Sequence, residues 1–305
     1  MITNYPALSK QFSNLHNKLP YLSLDELFGY FACFGGVEEN INIDFFASLE
    51  DNIIEHFTTN YEKMYNLIEP NWLTSKPYSS IMTAVAKGDG KILNVFKRAK
   101  VSEALGGGIL SEIKKSGIVW IEESREQPIK RFRNLPIKKE LRGYRIQSKV
   151  RFIKPFDRFF FGFVLPFEKD LKAGKYDRFI NNYLQHKDRA QSLIFEQLSN
   201  ELLKLKFADI DPIISSGSLW ERINEYDIYC TTQSGKKIIG ECKFKNRKVC
   251  SSELNKLKEK IKNSNMSIDI YAIISKSGFS TELLETKSDK LLLYTIDDFE
   301  ELLKS

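Results

Sequence analysis

The strongest constraint on what this chain can fold into is a pair of short runs, residues 225–231 (EYDIYCT) and 236–244 (KKIIGECKF), separated by Ser234-Gly235. Alternating apolar runs flanking a glycine turn encode a β-hairpin, because glycine supplies the positive φ that tight turns need. Upstream, residues 187–207 place Ile194, Leu198, Leu202 and Leu205 on one helical face, with Glu196 at its edge. Downstream come a helix over 251–262, an apolar strand over 268–275, a helix at 281–284, and a strand and helix through 291–303. Strands alternating with helices predict an α/β domain built on a mixed sheet flanked by helices.

The N-terminal part has a different period. Between residues 22 and 70, Leu24, Leu27, Phe28, Phe31, Ile53, Ile54 and Phe57 recur at helical spacing, interrupted by Gly35-Gly36. After a linker at 71–77, helices are expected over 79–87, 91–97 and 109–115. A β-run at 118–122 then pairs with 144–148 across a basic loop. That is the order of a winged helix. The third helix opens on Gly106-Gly107-Gly108, which offers no side chains to base edges, so phosphate contact is expected rather than base readout. Lys97, Arg98, Lys100, Lys114, Lys115, Arg131 and Arg133 are the candidate contacts. The run at 151–167 (RFIKPFDRFFFGFVLPF) has seven Phe in seventeen residues and reads as core. The overall expectation is α/β (α+β overall): a helical region over 1–75, a winged helix over 76–150 and a sheet domain over 151–305.

Composition narrows the class further. The longest near-apolar run, residues 159–167, falls well short of the ~20 residues needed to cross a bilayer, so a cytoplasmic protein without a membrane partner is expected. Cys33, Cys230, Cys242 and Cys250 lack CxxC spacing, and with three His they predict reduced thiols rather than a zinc site. The net charge of +6 conceals an asymmetry. Residues 1–70 carry 3 basic and 10 acidic side chains (−7), residues 125–178 carry 16 and 6 (+10), and residues 236–262 carry 10 and 3 (+7). Two basic segments of this kind suit a polyanion, and Lys245, Arg247 and Lys248 lie in the second.

The hairpin also carries the candidate chemistry. A turn centred near 234 and 235 sets Asp227 opposite about residue 242, beside Glu241. Strand alternation turns Glu241 and Lys243 to one face and Cys242 to the other. Two neighbouring carboxylates repel unless a hard cation such as Mg²⁺ or Mn²⁺ shares them, and a lysine two residues on can serve a developing phosphoryl charge. ExK alone is weak evidence, since it also occurs at Glu112 and Glu285; only Glu241-Cys242-Lys243 sits on an apolar strand with an Asp-bearing partner.

A strand Asp followed by ExK after a Glu-bearing helix resembles the PD-(D/E)XK nuclease superfamily, whose fold is the restriction-endonuclease-like mixed sheet. Residues 151–167, the Glu196 helix, EYDIYC, GECKFKNRKV and SKSGFS (275–280) look like the domain of unknown function that follows the core of archaeal-type AAA ATPases. LFGYFACFGGV (27–37) resembles their lid helices, and IMTAVAKGDGKILNVF with ILSEIKKSGIVWIEE their winged helix. No GxxxxGK[ST] loop is present, so ATP hydrolysis is not expected, and Tyr226 stands where the superfamily often has Pro. The resemblance implies that Asp227 and Glu241 bind Mg²⁺ or Mn²⁺, that Lys243 positions or activates water, and that Glu196 is an additional ligand. It implies a metal-dependent nuclease acting on nucleic acid, with DNA favoured. The alternatives are a non-catalytic DNA-binding or regulatory protein and a module that docks on a separate ATPase or on a second copy of itself.

Overall fold

The helical periodicity of the N-terminal region is realised in the computed structural model, which describes residues 7–44, 46–126, 136, 143–264 and 266–304. The architecture is mixed α and β, with an N-terminal helical region and a mixed five-stranded sheet with helices. Two compact units divide the chain: Asn4–Glu122 with Lys149–Leu198 and Phe299–Ser305, and Met1–Thr3 with Glu123–Ser148 and Ser199–Asp298. The chain passes between the two units at 122/123, 148/149, 198/199 and 298/299. No helix among the described residues is long and apolar enough to cross a membrane.

In the helical unit, α1 (Leu8–Lys18) and α2 (Leu24–Phe34) are followed by α3 (Leu49–Ile54) and α4 (Tyr61–Tyr65). Ser23 starts α2 through a capping box: its hydroxyl accepts from the Glu26 amide at 3.4 Å, while Glu26 accepts from the Ser23 amide at 2.9 Å. From Leu27 to Phe34 every residue of α2 is buried. Phe12 and Phe28 meet with ring centroids 5.1 Å apart. Each fully buried Phe contributes roughly 1.5–3 kcal/mol of transfer free energy, so this aromatic cluster dominates the unit's core.

Next come α5 (Tyr78–Lys87), α6 (Ile92–Ala99), α7 (Glu103–Lys115), β1 (Val119–Glu122) and β2 (Lys149–Phe152), the element order of a winged helix. Two expectations are corrected here. The three glycines lie inside α7 rather than at its start, because Ser102 caps the helix by accepting from the Leu105 amide at 3.3 Å. Gly106 is required by packing: a Cβ there would stand 2.6 Å from the Phe96 ring of α6. The β1 partner is 149–152 rather than 144–148, with Val119 opposite Phe152 and Ile121 opposite Val150. That register sets apolar residue against apolar residue and lets Arg151 donate to the buried Glu122 at 2.9 Å. The Phe-rich run forms α8 (Pro155–Phe159) and a wider turn, and Phe156, Phe159, Phe160 and Phe161 are buried as expected. After α9 (Glu168–Lys172), α10 runs as one helix over Asp177–Lys206, starting ten residues before the expected 187. Leu202 and Leu203 complete its buried face; Leu205 is exposed.

The sheet unit contains β3 (Ile213–Ser215), β4 (Leu219–Trp220), β5 (Glu225–Tyr226), β6 (Ile228–Thr232), β7 (Lys237–Lys243), α11 (Ser251–Asn263), β8 (Ile270–Ser275), α12 (Thr281–Leu284) and β9 (Leu291–Thr295). The main sheet has the order β3-β6-β7-β8-β9; β3, β6 and β7 are antiparallel neighbours, while β7, β8 and β9 run parallel. Gly235, at φ +88°, closes the β6–β7 turn. In mid-strand, a Cβ on Gly240 would collide with the Ala272 carbonyl oxygen of β8, which explains a glycine at the centre of the sheet. Residues 213–215 and 219–220 were not expected as strands; both are too short to show a period.

Candidate active site

The β6–β7 register pairs Ile228 with Gly240, so continuing one residue sets Asp227 across from Glu241, one position from the expected 242. Asp227 sits in the break between β5 and β6. Its Oδ2 accepts from the Cys242 amide at 2.8 Å, and its backbone carbonyl accepts from Asn200 Nδ2 at 3.1 Å. Asn200 Oδ1 in turn accepts from the buried Ser216 hydroxyl at 3.1 Å. The break is therefore held at both its carboxylate and its backbone. A regular strand would have paired this amide along the ladder; here a side chain takes that place and turns the carboxylate toward β7.

Glu241, only 9 % exposed, is the buried charge of the site. Its Oε2 accepts from Lys243 Nζ at 3.0 Å and its Oε1 from Lys260 Nζ at 2.5 Å. Lys243 also lies 3.5 Å from Glu253, which pairs with Lys256 at 2.8 Å. Glu253 and Lys260 are seven residues apart on α11 and so share the helix face above β7, while Leu254, Leu257 and Ile261 anchor that helix in the core. Burial by itself would lower the Lys243 pKa, but Glu241, with Asp227 and Glu253, more than offsets it, and the pKa is raised. Lys243 is thus a permanent cation near neutral pH. That charge suits it to stabilising negative charge beside the two carboxylates.

The donor set fits Mg²⁺ or Mn²⁺ in one specific sense. Asp227 and Glu241 supply the one or two carboxylates with which Mg²⁺ is commonly held together with waters and substrate phosphates. They do not make a protein-only cage: among the described residues no group of three or more His, Cys, Asp or Glu side chains is placed to hold a metal ion. Lys260 occupies Glu241 Oε1, one of the two oxygens this carboxylate could offer a cation.

The remaining candidates fall as follows. Glu196 is a half-buried residue of α10 in the helical unit, where its charge acts on Arg158; Asp227, Glu241 and Lys243 belong to the sheet unit. Lys97, Arg98, Lys100, Lys114 and Lys115 are exposed on α6, its C-cap and α7. Arg98 is committed in part to structure, donating to the Lys87 carbonyl at 2.9 Å. Arg131 and Arg133 lie outside the described residues. Lys245, Arg247 and Lys248 are exposed in the loop after β7. That loop is pinned by residues 275–280: Ser277 donates to the Lys245 carbonyl at 2.7 Å, and the Val249 amide to the Gly278 carbonyl at 2.9 Å. The four cysteines are free; Cys33 and Cys230 are buried, and Cys250, at the cap before α11, is exposed.

Sequence reasoning missed Lys260, Glu253 and Asn200. The seven-residue spacing on an amphipathic helix pointed to the first two, whereas nothing in the sequence marks Asn200 as the partner of the Asp227 carbonyl.

The DUF234 family model, described as archaea bacterial proteins of unknown function, matches residues 160–261. No curated protein and no solved structure matches the chain significantly.

Proposed function

We propose that the β6–β7 site is the centre of a Mg²⁺- or Mn²⁺-dependent phosphodiesterase of the PD-(D/E)XK type acting on nucleic acid, with DNA as the substrate class. The observation that carries this reading is the electrostatic grouping of Lys243 with both Asp227 and Glu241 on one edge of a buried strand. Asp227 and Glu241 would hold the cation, which would supply Lewis-acid chemistry toward the phosphodiester and its attacking water. Lys243, whose charged form Glu241, Asp227 and Glu253 favour, would lie against the charge that builds on the phosphoryl oxygens. The break at Asp227, pinned through Asn200, fixes the angle of the first carboxylate. Lys245, Arg247 and Lys248 offer the substrate backbone a cationic approach, and the exposed lysines of α6 and α7 offer a further, sequence-independent one.

The match over residues 160–261 supports relating this chain to the domain that follows the core of archaeal-type AAA ATPases. On that reading the acidic residues 1–70 are the segment that would meet an ATPase or a second copy.

A second reading is favoured by one observation. Both oxygens of Glu241 are already bonded to ammonium groups, so the cluster can serve simply to fasten α11 to β7 in a non-catalytic DNA-binding or regulatory protein. Plasmid and single-strand cleavage with Mg²⁺ or Mn²⁺, run with Asp227→Ala and Lys243→Ala, separates the two. The first reading expects at least ~100-fold loss in either variant. Undiminished cleavage removes the site from the mechanism; salt-dependent DNA binding without turnover supports the second reading.

A further inference from the structure

The helical unit contains a cavity of about 210 Å³ bounded by α5, α6, the turn after α8 and the middle of α10. Four of the residues lining it are lysine or arginine: Lys87, Arg98, Arg158 and Arg189. No carboxylate lines it, and among the described residues none of these four makes an ion pair within 4.0 Å. The rest of the lining is Phe163, Gly162, Ala86 and Ala190, with Asn182 and His186 as its further polar residues.

Part of this arrangement has an ordinary explanation. Arg98 and Arg189 both donate to the Lys87 carbonyl, at the C-terminal end of α5, where cations are favoured. Each uses one N–H in doing so, and a guanidinium has five. Arg158 spends one more on the Ala190 carbonyl at 3.3 Å. These bonds lock three guanidinium groups around one space and leave most of their donors unspent. Capping does not account for Lys87 and Arg158, whose charges burial disfavours and whose like-charged neighbours disfavour further: Arg98 for Lys87, Arg151 and Arg189 for Arg158. Glu196 is the one acidic group acting on Arg158, and it does not line the cavity.

We propose that this cavity is a binding site for a phosphate monoester, in which the Lys87, Arg98, Arg158 and Arg189 cations hold the phosphate dianion and the Phe163 wall holds the organic group. Planar, locked guanidinium groups match phosphate oxygens two at a time and lose little freedom on binding. The size restricts the ligand. The cavity lies below the roughly 300–1,000 Å³ of sites for drug-sized molecules, so it takes a phosphorylated fragment the size of a pentose phosphate rather than a dinucleotide. The source is either a free sugar phosphate or the 5′-terminal phosphate of a nucleic acid strand. The site does not depend on the β6–β7 reading and can hold if that reading fails.

The test is calorimetry on the full chain with ribose 5-phosphate, ribose and inorganic phosphate. The expected result is one site for ribose 5-phosphate, none for ribose, and weaker binding of inorganic phosphate, which lacks the group that meets Phe163. Lys87→Gln and the rim variant Arg189→Gln should each weaken binding at least tenfold, while Asp227→Ala leaves it intact. Arg189 is exposed, so its variant keeps the fold even where Lys87→Gln does not. A 5′-phosphorylated trinucleotide binding more tightly than ribose 5-phosphate assigns a strand end; weaker binding assigns a free sugar phosphate. Absence of heat at about 10 mM ribose 5-phosphate, a concentration at which even ~1 mM sites saturate, overturns the proposal. So does binding unaffected by Arg189→Gln in folded protein.

Discussion

Glu241 is the least exposed of the ion-paired groups around β7, its side chain 12 % exposed, and it is served by two ammonium groups: Lys243 at 3.0 Å and Lys260 at 2.5 Å. This redundancy has a measurable signature. At an effective dielectric of about 20, a charge 3 Å away is worth ~5 kcal/mol gross, and desolvating each ion removes most of that. Lys243→Met leaves the carboxylate with Lys260, and Lys260→Met leaves it with Lys243; methionine preserves the packing of the aliphatic stem. Each single variant should therefore cost only ~1 kcal/mol, as for partly exposed pairs. The double variant strands a buried carboxylate, a loss of ~3–5 kcal/mol. Urea unfolding of the four proteins at pH 7 should accordingly yield a coupling of roughly 1–3 kcal/mol beyond additivity. Agreement of the double variant with the sum of the singles to within ~0.5 kcal/mol would refute the idea that the two lysines share one anion.

Other consequences are open to the same kind of measurement. Lys260→Ala frees Glu241 Oε1 and should tighten Mg²⁺ binding by about tenfold, ~1.4 kcal/mol in calorimetry; unchanged affinity would separate Glu241 from the cation. Gly240→Ala forces a Cβ onto the Ala272 carbonyl and should destabilise the sheet unit by ~2 kcal/mol or more, seen as a lowered unfolding midpoint; a neutral substitution would contradict the β7–β8 approach. Asp157 is buried, which raises its pKa to about 7, with Lys154 opposing only in part. An acid whose folded pKa exceeds its unfolded one binds the extra proton in the folded state, so stability falls as pH rises from ~4 to ~7, by at most ~1.4 kcal/mol per pH unit. Asp157→Asn should flatten that slope in denaturation profiles, and an unaltered profile would place the pH dependence elsewhere.

The parts of this molecule that were legible beforehand are those with a period or a turn. The β6–β7 hairpin could be read because Ser234-Gly235 interrupts two alternating runs, and the placement of Asp227 near Glu241 followed from counting outward from that turn. The winged-helix order was readable from the helical stripes. The α7 start was misjudged because propensity, which counts three glycines against a helix, was overridden by the Ser102 cap and by Gly106 packing on Phe96. The β1 partner was misplaced because a long basic loop gives no register information, whereas the matching of Val119 with Phe152 does so only in three dimensions. Lys260 was missed for a related reason: the sequence distance of 19 residues to Glu241 is bridged by a helix packed on a strand. The two-residue strand β4 has no signature at all, whereas β5 was read as the start of the hairpin strand from which the break at Asp227 separates it.

The manner in which the helical unit is completed bears on how the chain is made. Ser13 of α1 donates its hydroxyl to the Leu303 carbonyl, 290 residues further along, at 3.2 Å. Phe299 fills the space between Phe28, at 5.2 Å, and Phe195, at 5.0 Å. Synthesis runs from α1 toward residues 299–303, so this aromatic cluster stays incomplete while the residues between them are made. The entropy of closing so long a loop grows only logarithmically with its length, so the delay costs little at equilibrium. It matters in time: until residues 299–303 arrive, Phe28 and Phe195 lack their last neighbour, and the nascent protein presents an apolar opening that a chaperone would meet before a folded partner does.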